Sequence, residues 1–233
     1  PRNVAGDKPV MDAVYVGSRI ACLVSRYGLG CGWDDHEVPL LEQAAFYDVD
    51  SANRLGVNLV AYGIGYAAAA RLEAKPETFG LIDEAAPTDE LVFAQLRHGG
   101  AWNVHPGAAT ALLRRLRQES ALRVSLKRQA VTPGKDDLAP YALLYLEGLD
   151  AFGWDEAALT ALRQFLARGG TLVVNNGLGL ATFDATARAE LARLLPASPL
   201  APLAPDHPLF ASFKKVETAE YSSAVRKRFP DLS

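Results

Sequence analysis

The chain reads as an α/β protein, a three-layer α/β/α arrangement built on a mainly parallel sheet, and three features predict it. Two runs, Tyr141 to Leu146 and Thr171 to Val174, are almost wholly apolar, as strands covered on both faces must be. Segments with apolar residues three to four apart lie between such runs, and Gly and Pro punctuate the junctions. Strands that alternate with helices of about ten to fifteen residues imply βαβ units, hence a parallel sheet with helices on its faces.

The elements follow in order. Residues 12–25 hold two β-rich runs around Gly17 and Ser18, the pattern of a tight hairpin. From Asp50 and Ser51, good N-cap residues, Leu55, Leu59, Tyr62 and Tyr66 line one helix face, and the helix should run to about Ala74. Lys75 to Glu90 has two prolines, a glycine and five acidic residues without periodicity, so it is expected to be a linker. Leu91 to Leu96 reads as a buried strand, and Pro106 suits the first turn of a helix that buries Leu112, Leu113 and Leu116. Leu122 to Leu126 is predicted as the second strand of this unit, Tyr141 to Leu146 as the third and Thr171 to Val174 as the fourth. Asp155 should cap a helix through Leu159, Leu162, Phe165 and Leu166 that Gly169 and Gly170 stop, and Asp184 should cap a last helix ending before Pro196.

This divides the chain into a hairpin-plus-helix segment at 1–74, a linker at 75–90, a main βαβ unit at 91–213 and a tail at 214–233. A hairpin and one helix do not stay folded alone in water, so the first segment is expected to join the sheet of the main unit, with Ile20 to Ser25 extending it and the Leu55 helix covering a face. Exchange of the same segment between two chains, giving a homodimer, is the competing outcome.

Composition narrows the function. The 49% hydrophobic and 22% charged residues suffice for a full core, and 24 basic against 27 acidic residues leave a net charge of −3. No nucleic-acid partner is expected from such a balance, because that affinity rests on clustered cations. The most apolar stretch, Leu55 to Ala70, carries Asn58 and three glycines, so no membrane span is expected. The chain starts at Pro1, with its only Met at Met11 and no signal segment in front, and reads as a piece of a longer protein. Cys22 and Cys31 match no common zinc or redox spacing, and a bridge between them would need an oxidising compartment.

Several motifs occur together in a fixed order. They are Phe93-Ala-Gln-Leu-Arg-His-Gly-Gly-Ala-Trp-Asn, the strand after Gly169-Gly170, Phe183-Asp184, Glu190-Leu-Ala-Arg-Leu-Leu-Pro and Asp206-His-Pro-Leu-Phe. Over most of residues 90–213 this order resembles the bacterial "domain of unknown function 4159" family, and Asp137 to Gly148 followed by the Gly-Gly strand resembles the class I glutamine amidotransferase-like (flavodoxin-like) fold. The first seventy residues, with Gly30-Cys-Gly-Trp and Leu55-Gly-Val-Asn-Leu-Val-Ala-Tyr, resemble the final part of that family. The resemblance therefore implies a permuted order, the tail of one copy followed by the head of the next, and it implies a fold more firmly than a reaction.

An amidotransferase needs a nucleophile at a sharp strand-to-helix turn with a base beside it. The comparable turn after the Gly-Gly strand is Asn175-Asn-Gly-Leu-Gly, without Cys or Ser, so no catalytic residue is expected there. Gly177-Leu-Gly-Leu lacks the third glycine of a dinucleotide fingerprint and follows a late strand, so no cofactor is expected. Asp34, Asp35, His36 and Glu37 alternate sides in an extended segment and read as a solvated acidic loop, so no metal is expected. In parallel sheets ligands lie beyond the carboxyl ends of the strands, which points to Arg97, His98, Trp102, Asn103, Asn175 and Asn176 as ligand-binding residues.

The function expected from this is a non-catalytic binding or interaction module of a larger bacterial, envelope-associated or periplasmic protein, with a small molecule or neighbouring domains as partner. The alternative is a hydrolase using His98, His105 or His207 as base on a water, which requires an imidazole in the same cleft as the Asn175 turn.

Overall fold

The computed structural model describes residues 9–34, 45–73 and 91–221. Its centre is a seven-stranded sheet built from β1 (Met11–Val16), β2 (Arg19–Ser25), β3 (Ala94–Leu96), β4 (Gln129–Val131), β5 (Leu143–Gly148), β6 (Thr171–Asn176) and β7 (Ala201–Pro202). The spatial order is β4-β3-β5-β6-β2-β1-β7; the pairings from β4 to β2 are parallel, and β1 and β7 add antiparallel strands at one edge.

The hairpin forms where the turn residues place it. Gly17 adopts φ +62°, which a side chain would oppose, and β1 runs back along β2 with a register shift between Val14 and Tyr15. β2 in turn pairs in parallel with β6, Cys22 opposite Leu172 and Ser25 opposite Asn175. The first segment and the main unit thus share one sheet. Arg19 ties them further, since its buried guanidinium donates to the carbonyls of Leu166 and Gly170, at and just past the end of the helix that leads into β6.

The helices are α1 (Gly30–Trp33), α2 (Val49–Glu73), α3 (Ala108–Glu119), α4 (Glu156–Ala167) and α5 (Ala181–Leu194). Alternation along the strands sends side chains to two cores. Leu143, Tyr145 and Val173 join Leu55, Leu59, Tyr62, Leu112, Leu113 and Leu116 from α2 and α3. Leu144, Leu146, Leu172 and Val174 join Leu159, Leu162, Phe165, Phe183 and Leu191 from α4 and α5 on the opposite face. Among the described residues no helix is long and apolar enough to cross a membrane.

Asp155 caps α4 by accepting from the Ala158 N–H, and Gly169, at φ +96°, ends it. Two expectations are corrected. Leu122 to Leu126 is not a strand: only Val124 makes a bridge, to Leu91, and the edge position belongs to Gln129–Val131. Asp184 is not the cap of α5 but lies in its first turn, three residues into a helix that Leu180 begins. The linker from Lys75 to Glu90 and the residues Asp35, His36 and Glu37 lie outside the described residues.

Candidate active site

The carboxyl ends of β3, β5, β6 and β2 lie side by side, and each contributes to one buried cluster. Glu147 and Asn175 are register partners on β5 and β6, so their side chains leave the sheet on the same face as Tyr145. Four donors converge on the Glu147 carboxylate. Oε1 accepts from His105 Nδ1 at 2.7 Å, Asn175 Nδ2 at 2.9 Å and the Tyr145 hydroxyl at 3.2 Å, and Oε2 accepts from the His105 backbone N–H at 3.3 Å. Asn175 Oδ1 accepts from the Leu29 N–H at 2.9 Å, which fixes the entry to α1.

The next residue but one on that entry is Cys31, whose Sγ lies 2.9 Å from His105 Nε2. The two imidazole nitrogens are therefore engaged in opposite directions, Nδ1 with the carboxylate and Nε2 with the sulfur. Cys31 follows β2 by way of a short loop, and Gly30 lets the backbone come close: a Cβ there would stand 2.6 Å from Glu147 Oε1 and 2.7 Å from His105 Nδ1. Trp33, one turn on, packs its ring 5.5 Å from that of Tyr145 and donates to the Ala52 carbonyl. Cys31 and Glu147 are each 1% exposed.

Electrostatics follow from this geometry. Burial alone would lower the His105 pKa, but the Cys31 sulfur and the Glu147 carboxylate outweigh it and raise it to about 10. His105 is an imidazolium at neutral pH. Burial, reinforced by Glu147, pushes the Tyr145 phenol well above its ordinary value and keeps it a donor. Cys22 is also buried but faces the other core, and burial, opposed by Arg19, raises its thiol to about 12. Both cysteines are free.

The six residues expected to bind ligand separate into four groups. Asn175 belongs to the buried cluster. Asn176 closes its own turn, donating to the Leu180 carbonyl and accepting from the Leu180 N–H, so Gly177 to Leu180 is a tight turn with Gly179 at φ +69°. His98 packs 4.9 Å from the Phe152 ring; its Nε2–H donates to the Glu147 carbonyl, and its Nδ1 accepts from the Gly100 N–H. Burial lowers its pKa, which fits that neutral tautomer. Arg97, Trp102 and Asn103 gather at the surface instead, with Arg128. His207 packs against Tyr15 and Tyr62, and its Nδ1 accepts from the Leu209 N–H.

Sequence reasoning placed the vacant nucleophile turn after β6, whereas the thiol beside the imidazole comes from the turn after its sheet neighbour, β2. His105, one of the three imidazoles expected as a base on water in the hydrolase alternative, does not cap the next helix: Gly107 holds that position. Two signals were available. A carboxylate ends the otherwise apolar run Leu143-Leu-Tyr-Leu-Glu, and glycines flank Cys31 on both sides.

The family model for a domain of unknown function (DUF4159) matches residues 92–231. The chain belongs to this family. No curated protein matches the chain. The DUF4159 region carries His105, Glu147, Tyr145 and Asn175, and Cys31 reaches them from the segment that precedes it.

Proposed function

We propose that the protein is a thiol-dependent acyl-transfer enzyme, a hydrolase or amidotransferase-like catalyst, with Cys31 as nucleophile, His105 as general base and acid, and Glu147 as the group that orients and charges His105. The observation that carries the reading is the continuous path from Cys31 Sγ to His105 Nε2 (2.9 Å) and from His105 Nδ1 to Glu147 Oε1 (2.7 Å). The permuted class I amidotransferase-like fold belongs to the same proposal; the parallel pairing of β2 with β6 and the family match over the later residues support it.

The chemistry needs no group beyond these and water. With the proton already held at His105 Nε2, the Cys31 sulfur adds to a carbonyl carbon, whose π electrons move to oxygen. Collapse of that adduct expels an amine or alcohol, which leaves with the proton from Nε2. Water then adds to the thioester and gives one proton to the now neutral Nε2; collapse releases the carboxylic acid and restores the sulfur beside the protonated imidazole. Asn175 and Tyr145 hold Glu147 in place and are positioning residues.

One observation favours a second reading, a non-catalytic binding module in which the three side chains are a buried staple: Cys31 is 1% exposed. An activated acyl ester separates the two readings. Mass spectrometry of the quenched reaction should find the acyl group on Cys31 and nowhere else, with Cys22 as internal control. No acylation of Cys31 at any pH between about 6 and 9, where a paired thiol is nucleophilic, would favour the staple.

A further inference from the structure

Arg97 leaves the carboxyl end of β3, and its guanidinium carbon lies 5.4 Å from the centre of the Trp102 ring. Arg128, just before β4, places its own at 5.8 Å from the same ring. Arg128 is held by two neutral amides: Nη1 donates to Gln95 Oε1 at 2.5 Å and to Asn103 Oδ1 at 2.6 Å. Gln95 is buried, and its Nε2 donates to the Trp102 carbonyl at 2.6 Å, so one strand residue fixes both the indole-bearing loop and the cation.

Among the described residues neither guanidinium meets a carboxylate, and Nη2 and Nε of Arg128 have no acceptor. Asp150, the acidic residue nearest this loop in the hydrogen-bond network, accepts from the Ala101 N–H instead. Two like charges gathered at one ring repel, and a pre-oriented guanidinium presents a planar fork that matches the two oxygens of a carboxylate or phosphate. The place is also the usual one for a ligand, beyond the carboxyl ends of adjacent parallel strands.

We propose that Arg97 and Arg128, ranged about Trp102 and braced by Gln95 and Asn103, form a binding site for the oxyanion group of a small ligand, a carboxylate or a phosphate. Gln95 is the register partner of Tyr145, so the site stands one strand from the Glu147 cluster. The inference holds whether or not Cys31 is a nucleophile.

Titration of the native protein with inorganic phosphate and, separately, with glutarate tests it, read by calorimetry and by the Trp102 indole N–H resonance at low ionic strength. At least one anion should bind saturably and move that resonance, and the preference between the two names the oxyanion. R97Q/R128Q should weaken binding about ten-fold or more, the scale for losing hydrogen bonds to a charged group. R128K, which keeps the charge and loses the fork, should weaken it too, and serves alone if the double variant does not fold. K135Q removes a cation from exposed Lys135 and should leave binding unchanged. No saturable binding of either anion, a Trp102 resonance that does not move, or equal losses in K135Q and R128K would overturn the proposal.

Discussion

His105 and Glu147 form a buried ion pair, Nδ1 to Oε1 at 2.7 Å, in which the histidine carries the charge because the carboxylate and the Cys31 sulfur hold its pKa at about 10. The pair sits at the carboxyl ends of parallel strands, and its members come from elements separated by α3 and β4.

Removing the carboxylate charge should expose the penalty that burial imposes on the cation. In E147Q the His105 pKa should fall from about 10, because the Cys31 sulfur alone then opposes desolvation. Stability should drop by about 3–5 kcal/mol, the usual cost of breaking a buried pair from one side. Imidazole NMR titration reads the first effect and urea unfolding the second.

The same pair gives stability a pH dependence of definite sign. The folded pKa lies above the unfolded one, so the contribution is complete below about 6.5 and is lost as pH rises through about 10. The stability advantage of the native chain over H105Q should therefore be largest in the acidic part of that window and shrink by up to about 1.4 kcal/mol per pH unit across it. Unfolding midpoints of both chains between those limits check the slope.

Gly30 is a steric requirement of the cluster. In G30A the new methyl would stand 2.6 Å from Glu147 Oε1 and 2.7 Å from His105 Nδ1, and both belong to groups that cannot retreat without losing partners. We expect a loss of about 1–3 kcal/mol, as for overpacked cores, together with a changed His105 titration. A loss of stability with the titration unchanged would mean that the backbone moves and the pair does not.

Asn58 ties the residues after the last helix to α2. Its Nδ2 donates to the Lys214 carbonyl at 2.7 Å, and its Oδ1 accepts from the N–H groups of Phe213 and Lys214. N58A should cost about 1–3 kcal/mol by leaving these backbone groups unpaired. Hydrogen exchange should quicken first at Phe213 and Lys214.

Much of the sheet was legible because a strand covered on both faces has to be apolar throughout, and β5 and β6 are. β4 was not legible: Gln129–Val131 is a short edge strand defined by backbone pairing to β3, while the more apolar Leu122 to Leu126 lends only Val124 to a bridge. The site was harder for a related reason. Cys31 and His105 are 74 positions apart, and His105 and Glu147 are 42 apart, so no local spacing joins them. Only the parallel pairing of β2 with β6, Ser25 opposite Asn175, brings the thiol's turn beside the turn that sequence reasoning found vacant.

The central claim, that His105 and Glu147 activate Cys31, is tested most directly by the pH dependence of Cys31 alkylation with iodoacetamide, followed by mass spectrometry in the native chain and in H105Q. The account predicts that Cys31 is alkylated faster in the native chain than in H105Q at each pH between about 6 and 8, because the imidazole beside the sulfur favours its nucleophilic form. Equal rates in the two chains across that range would contradict it.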